Sequence, residues 1–214
     1  MTAQIPDVIK YRNKDYNLAG LNGFGLFDPA QQGVNVVFWS TGCWRGYHCK
    51  YQVADNDLYL IQVNVGLSKE DWEAASRGEG PKLFGKVFHR YTEYGIDWDR
   101  ETGEQITTSW DSSDFMVDGL WEPVPFTGGM LLGAEFIREM YVHMGYHPAY
   151  KFQVVHELIF DSGHLLEEYD RSAQIAEYRE KIASQPLEPD ADAPSDEIEE
   201  WIEKCFSLQY EELW

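Results

Sequence analysis

The chain has 214 residues, 43% hydrophobic and 15% aromatic, which suits one large domain or one domain with an appendage. Its formal net charge is −20. Such a field repels phosphate backbones and anionic membranes, so neither direct nucleic-acid binding nor membrane binding is expected. No apolar run approaches the roughly eighteen residues of a transmembrane helix. Met1 to Asp7 has neither a charged n-region nor an apolar h-region, so a secretory signal is not expected and the cytoplasm is the expected location.

In chain order, Val8 to Tyr11 and Tyr16 to Leu18 flank a polar turn sequence and predict an opening hairpin. Gly20, Gly23 and Gly25 follow, lacking both the Walker lysine and the order of a dinucleotide fingerprint, and the segment through Pro29 reads as a loop. Val34 to Ser40 is rich in β-branched and aromatic residues and predicts a buried strand. Tyr47–Val53 and Leu58–Val65 flank Ala54-Asp55-Asn56-Asp57, the clearest hairpin pattern in the chain. Ser68 can cap a short helix through Ala75.

Lys86 to Tyr91 resembles a strand, and Asp99 to Glu104 a turn with Gln105 to Trp110 returning. The stretch from Ala134 to Met144 fits a helical face and a strand parity equally. Lys151 to Phe160 predicts a strand ended by the turn chemistry of Asp161-Ser162-Gly163. Leu165, Leu166, Tyr169, Ile175, Tyr178 and Ile182 then suggest one amphipathic helix or two short ones. Residues 185–194 read as a linker. Ser195 is placed as the cap of a last helix whose apolar stripe runs through Ile198, Trp201, Ile202 and Cys205. The expected organisation is a β-rich domain over 1–165 and an acidic helical extension over 166–214. Residues 157–214 hold 17 of the 37 acids but 4 of the 17 Lys and Arg, a balance of −13.

Cys43, Trp44, Arg45, Tyr47, His48 and Cys49 crowd one glycine, but a Cys-x5-Cys spacing with no second pair is not a usual zinc knuckle. His143 and His147 are separated by Gly145, and Pro148 follows, which breaks the helical i, i+4 geometry a metal pair needs. No metal and no cofactor is expected. A thiol activated by His48 is disfavoured, because neighbours in a strand face opposite ways. Three cysteines, an odd number, read as reduced thiols. An arginine at an apolar strand entry must find a carboxylate, a carbonyl or a ring face, and this makes Arg45 the residue that separates scaffold from site.

Cys43-Trp44-Arg45-Gly46-Tyr47 with Asp57-Leu58-Tyr59-Leu60, and Phe126-Thr127-Gly128-Gly129 with Tyr141-Val142-His143-Met144-Gly145-Tyr146, resemble the motifs of a family of small bacterial β-rich proteins with no assigned activity. The resemblance covers residues 8–165 and matches poorly from Arg77 to Pro125. It implies a β-rich cytoplasmic accessory protein, some relatives of which belong with toxin–immunity loci.

The expected fold is mainly antiparallel β, a sandwich or partly open barrel, with C-terminal helices, α+β overall. The first functional expectation is a non-enzymatic protein-binding protein, in particular an immunity-type inhibitor of a basic target, docking through Ile198, Trp201 and Ile202. The alternatives are a small-ligand module or enzyme in which Trp44, Arg45 and Tyr47 meet His143, Tyr146 and His147 around one pocket, and a structural homo-oligomer subunit.

Overall fold

Two tight turns set the frame. In the computed structural model, which describes residues 2–99, 102–190 and 192–210, strands β1 (Val8–Tyr11) and β2 (Lys14–Phe24) are joined by Arg12 and Asn13 at φ 48° and 62°. Strands β3 (Tyr47–Ala54) and β4 (Asp57–Val65) are joined by Asp55 and Asn56 at φ 51° and 65°. Two successive left-handed residues form the hairpin turn whose twist matches that of the flanking strands, and Asn and Asp tolerate that conformation best among non-glycine residues.

Helix α1 (Lys69–Ser76) follows, with Ser68 Oγ accepting from the Asp71 backbone N–H at 3.2 Å and Glu70 and Asp71 in its first turn. Short strands β5 (Lys82–Leu83) and β6 (Lys86–Val87) lead to a separate hairpin of β7 (Thr92–Trp98) and β8 (Gln105–Asp111). Strands β9 (Phe115–Pro123), β10 (Thr127–Phe136), β11 (Phe152–Asp161) and β12 (His164–Asp170) complete the sheet. Helices α2 (Ser172–Ile182) and α3 (Ser195–Phe206) close the chain.

The large sheet has the order β12-β11-β10-β2-β1-β3-β4-β9. His164 of β12 also pairs with Asp57 of β4, so seven strands close into a barrel and β9 is extra. Beyond Asp57, β4 gives the same edge to β9, from Tyr59 to Val65. Pairing is antiparallel throughout except between β1 and β3, where Val8, Ile9 and Lys10 run parallel to Lys50, Tyr51 and Gln52. The fold is thus the mainly β, α+β class that the hairpin patterns predicted, realised as a barrel.

Side chains fill the barrel. Ile9, Leu18, Tyr51, Leu60, Val63, Leu132, Leu158 and Phe160 belong to one buried cluster. Each large apolar side chain contributes about 1.5–3 kcal/mol through its burial, and truncating one such as Leu60 to Ala costs about 2–5 kcal/mol. A second cluster lies on the outer wall, where Ala19, Leu131, Phe152 and Val155 meet Ala149 and Ile175 of α2. The end of the chain is stapled to the same wall. Leu21 N–H donates to Leu208 O at 2.6 Å, where β1 no longer covers β2. Tyr210 Oη donates to buried Glu157 at 3.0 Å, and Arg171 Nε binds the other Glu157 oxygen at 2.8 Å.

Several expectations are corrected. Val34–Ser40 is not a buried strand: only Val34 is buried, Phe38 is exposed, and the segment is held by isolated bridges from Val36 to Leu67 and from Ser40 to Cys43. Gly20–Phe24 is strand, not loop; Gly23 lets β2 lie against β10, since a Cβ there would sit 2.3 Å from Thr127 O. Of Lys86–Tyr91, only Lys86 and Val87 are strand. The ambiguous 134–144 stretch ends a strand at Phe136, makes a short 3-10 turn over Arg138–Met140 and runs on irregularly.

Leu165, Leu166 and Tyr169 lie in β12, not a helix, so a boundary at 165/166 falls inside a barrel strand. Strand alternation and an amphipathic helix share these spacings over so short a run. Ser195 is the first helical residue of α3 rather than its cap, and no side chain caps that end. Among the described residues no helix is long and apolar enough to cross a membrane.

Candidate functional site

Arg45 sits at the mouth of β3 and is bound on three sides. Its Nη2 donates to Asp7 Oδ1, its Nε donates to Tyr47 O at 2.6 Å, and its guanidinium lies 4.5 Å from the Tyr47 ring centroid. Asp7 is buried, and the same Oδ1 accepts the Cys49 backbone N–H at 2.6 Å. Burial opposes the Arg45 charge most strongly, but Asp7, Tyr146 and Cys49 together outweigh it and raise the arginine above its ordinary value. Arg45 therefore ties the start of β1 to the start of β3, the two strands that pair in parallel.

Of the residues expected to meet around Arg45, the structure brings together part. Tyr146 lies beside it: burial pushes the phenol up and the Arg45 charge pulls it back. Trp44 is half-exposed and stacks against Phe206 of α3 with centroids 5.1 Å apart. His143 is exposed and bonded to Tyr141 Oη at 3.0 Å. His147 packs on Phe136 at 4.7 Å, with Nδ1 buried and without a hydrogen-bond partner among the described residues. Burial and then the Lys151 charge push His147 down to about 4. In the sequence nothing sets Lys151 apart from the first residue of a strand.

The α3 stripe faces its own body. Ile198, Trp201 and Ile202 are half-buried, Trp201 Nε1 donates to Leu187 O at 3.3 Å, and Tyr146 N–H donates to Cys205 O at 2.7 Å. Gly145 makes this contact feasible: its φ is +60° and a Cβ would lie 2.1 Å from Cys205 O. Cys43 and Cys49 are buried and their thiols are raised by desolvation, the state of inert cysteines. Among the described residues no group of three or more His, Cys, Asp or Glu is placed to hold a metal ion.

Two further features carry chemistry. The first is the β7–β8 hairpin, which forms its own two-stranded sheet outside the barrel. Tyr94, Ile96 and Trp98 share one face and are 74%, 68% and 63% exposed. Ser109, Thr107 and Gln105 stand opposite them and leave most of this surface uncovered. The other face is partly closed by Trp110, which lies over Gly95 and donates to Glu93 at 2.7 Å. A two-stranded hairpin is marginal in water by itself.

This hairpin is held at its base by a buried network. Asp114, fully buried, accepts from Asn64 Nδ2 at 2.9 Å and from Tyr91 Oη at 3.0 Å. Arg90 Nε and Nη2 donate to Ser112 O at 3.0 and 2.6 Å. His48 Nε2 stands 3.9 Å from Asp114 Oδ2 and is lowered chiefly by burial. The network thus anchors β7 and β8 to the outer faces of β3 and β4. The exposed stripe is legible as three alternating apolar residues, Tyr94, Ile96 and Trp98, but nothing in the sequence marks which face of that alternation is left open.

The second feature is a cavity of 650 Å³ between residues 140–151 of the barrel wall and helices α2 and α3.

No protein-family model, no curated protein and no solved structure matches the chain.

Proposed function

We propose that this chain is a non-enzymatic protein-binding protein that engages its partner through the β7–β8 hairpin. The observation that carries this reading is the Tyr94, Ile96 and Trp98 stripe, exposed on one face of a hairpin that is firmly anchored at its base. Aromatic side chains with few rotamers are the residue types that dominate interface energetics. A hairpin sheet of two strands also leaves backbone edges open for strand addition.

The charge suggests the kind of partner. From Thr92 to Asp111 the sequence carries six acids and one Arg. An apolar stripe with an acidic rim fits an apolar groove with a basic rim, and the field of a −20 chain steers it there. An immunity-type inhibitor of a basic target in the cytoplasm is the particular form we propose, in line with the family resemblance of the Cys43–Tyr47 and Tyr141–Tyr146 motifs. The Ile198, Trp201 and Ile202 stripe is half-buried on its own body and is a weaker docking surface than the hairpin.

The test is a photo-crosslinking amino acid at position 96 in the native host. The expected result is an adduct to a basic protein that disappears with Trp98→Ser or raised salt. Adducts only to a second copy, together with a dimer in sedimentation equilibrium, would replace this reading with the homo-oligomer. Absence of any specific adduct would overturn both.

A further inference from the structure

The groove between α2, α3 and the 140–151 segment has an unusual charge for this protein. Among the described residues its lining includes Lys151, Arg179 and Lys204 and no Asp or Glu, in a chain with 37 acids. Arg179 is committed to the wall, donating from Nε to Tyr150 O at 2.9 Å and from Nη2 to Phe152 O at 2.7 Å. Lys204 stands at the rim, 4.0 Å from Glu200.

Lys151 differs from both. It is 4% exposed, and among the described residues its ammonium makes no hydrogen bond or ion pair. Burial lowers it, and the groups that pull it back up are Cys205 and Glu188, neither within ion-pair distance. The Lys151 stem is buried in the wall while its ammonium reaches the groove without an anion, so an anion in that space would gain a charge-assisted partner. Apolar surface is at hand: Tyr146, Tyr150, Tyr178 and Trp201 line the same groove. A volume of 650 Å³ lies within the roughly 300–1,000 Å³ of small-molecule sites.

We propose that this groove binds a small aromatic carboxylate, its carboxylate on the Lys151 ammonium and its ring among Tyr146, Tyr150, Tyr178 and Trp201. The site is separate from the β7–β8 hairpin and does not depend on the protein-binding reading. The ligand's carboxylate belongs either to a free small molecule or to the C-terminus of a peptide ending in an aromatic residue.

Titration calorimetry of the full chain with 4-phenylbutyrate tests this. The expected result is saturable binding, absent for the neutral 4-phenylbutanamide and weakened about tenfold to a hundredfold by Lys151→Met. N-acetyl-Gly-Phe, compared with its C-terminal amide, separates the two sources: tighter binding of the free acid peptide than of 4-phenylbutyrate assigns the site to a chain end. Should the Met variant fail to fold, reductive methylation of the wild type gives the same decision. Protection of Lys151 by 4-phenylbutyrate supports the site, and equal labelling with and without it overturns it. No saturable binding, equal binding of the amide, or unchanged affinity in a folded Lys151→Met variant also overturns it.

Discussion

Asp7 Oδ1 accepts at once from the Arg45 guanidinium and from the Cys49 backbone N–H. One buried oxygen thus joins the entry of β1 to β3, where these two strands pair in parallel. Removing Arg45 strands the carboxylate without its cation. Arg45→Met is expected to lose about 3–5 kcal/mol in urea unfolding. The double variant Asp7→Asn/Arg45→Met is expected to lose less than the two single variants combined, because neither partner is then left charged and alone.

Half-buried histidines shape the upper part of the acid limb of stability. His147 is held near 4, and burial lowers His48 and His156 as well. The unfolded chain therefore takes up these protons first. The histidine contribution is complete above the ordinary value of 6.5 and is lost as pH falls from there toward 4. Thermal melts across this range should show the loss, and His147→Phe, which keeps the stacking on Phe136, should flatten it.

Gly145 is the hinge of the α3 contact. Gly145→Ala places a Cβ against Cys205 O in a left-handed backbone, a conformation that costs about 1–2 kcal/mol before any clash. The helix should separate from Tyr146, and the linker over 185–194 should be cut faster in limited proteolysis. Calorimetry should show the barrel transition changed much less than the proteolysis rate.

Base and tip of the β7–β8 hairpin should respond differently. Asp114→Ala leaves Asn64 Nδ2 and Tyr91 Oη without their buried acceptor, at a cost of about 2–4 kcal/mol. Ile96→Ser, at a position 68% exposed, should move stability by no more than about 0.5 kcal/mol while weakening partner binding. Chemical denaturation separates the two, and hydrogen exchange at Tyr91 and Ser112 reports whether the base has opened.

The thiols give a simple accessibility test. Cys43 and Cys49 are buried with raised thiols, and Cys205 is half-buried. A thiol reagent should modify no more than Cys205 in the folded protein, and all three cysteines after unfolding.

The two hairpins at Arg12-Asn13 and Asp55-Asn56 were readable because their information is local: a turn chemistry between two alternating runs. The parallel β1–β3 pairing joins segments some forty residues apart, for which no local pattern exists. Leu165, Leu166 and Tyr169 satisfied a helix and a strand alike, and tertiary closure through His164 and Asp57 chose the strand. At the site, the need of Arg45 for a partner was legible, but Asp7 as that partner was not. Lys151 was invisible for the same reason. A lysine whose stem is buried and whose ammonium faces a groove without an anion among the described residues is a property of what surrounds it.

A barrel filled by Tyr51, Leu60, Leu132 and Phe160 leaves little freedom inside, since any change of volume there opens a void or forces a clash. The outward face of β7 is under no such restraint. Tyr94, Ile96 and Trp98 can be exchanged without touching the interior. If the hairpin engages a partner as proposed, binding preference and foldability are encoded in separate sets of residues, and a lineage of such chains can diverge in what it recognises while its architecture stands still.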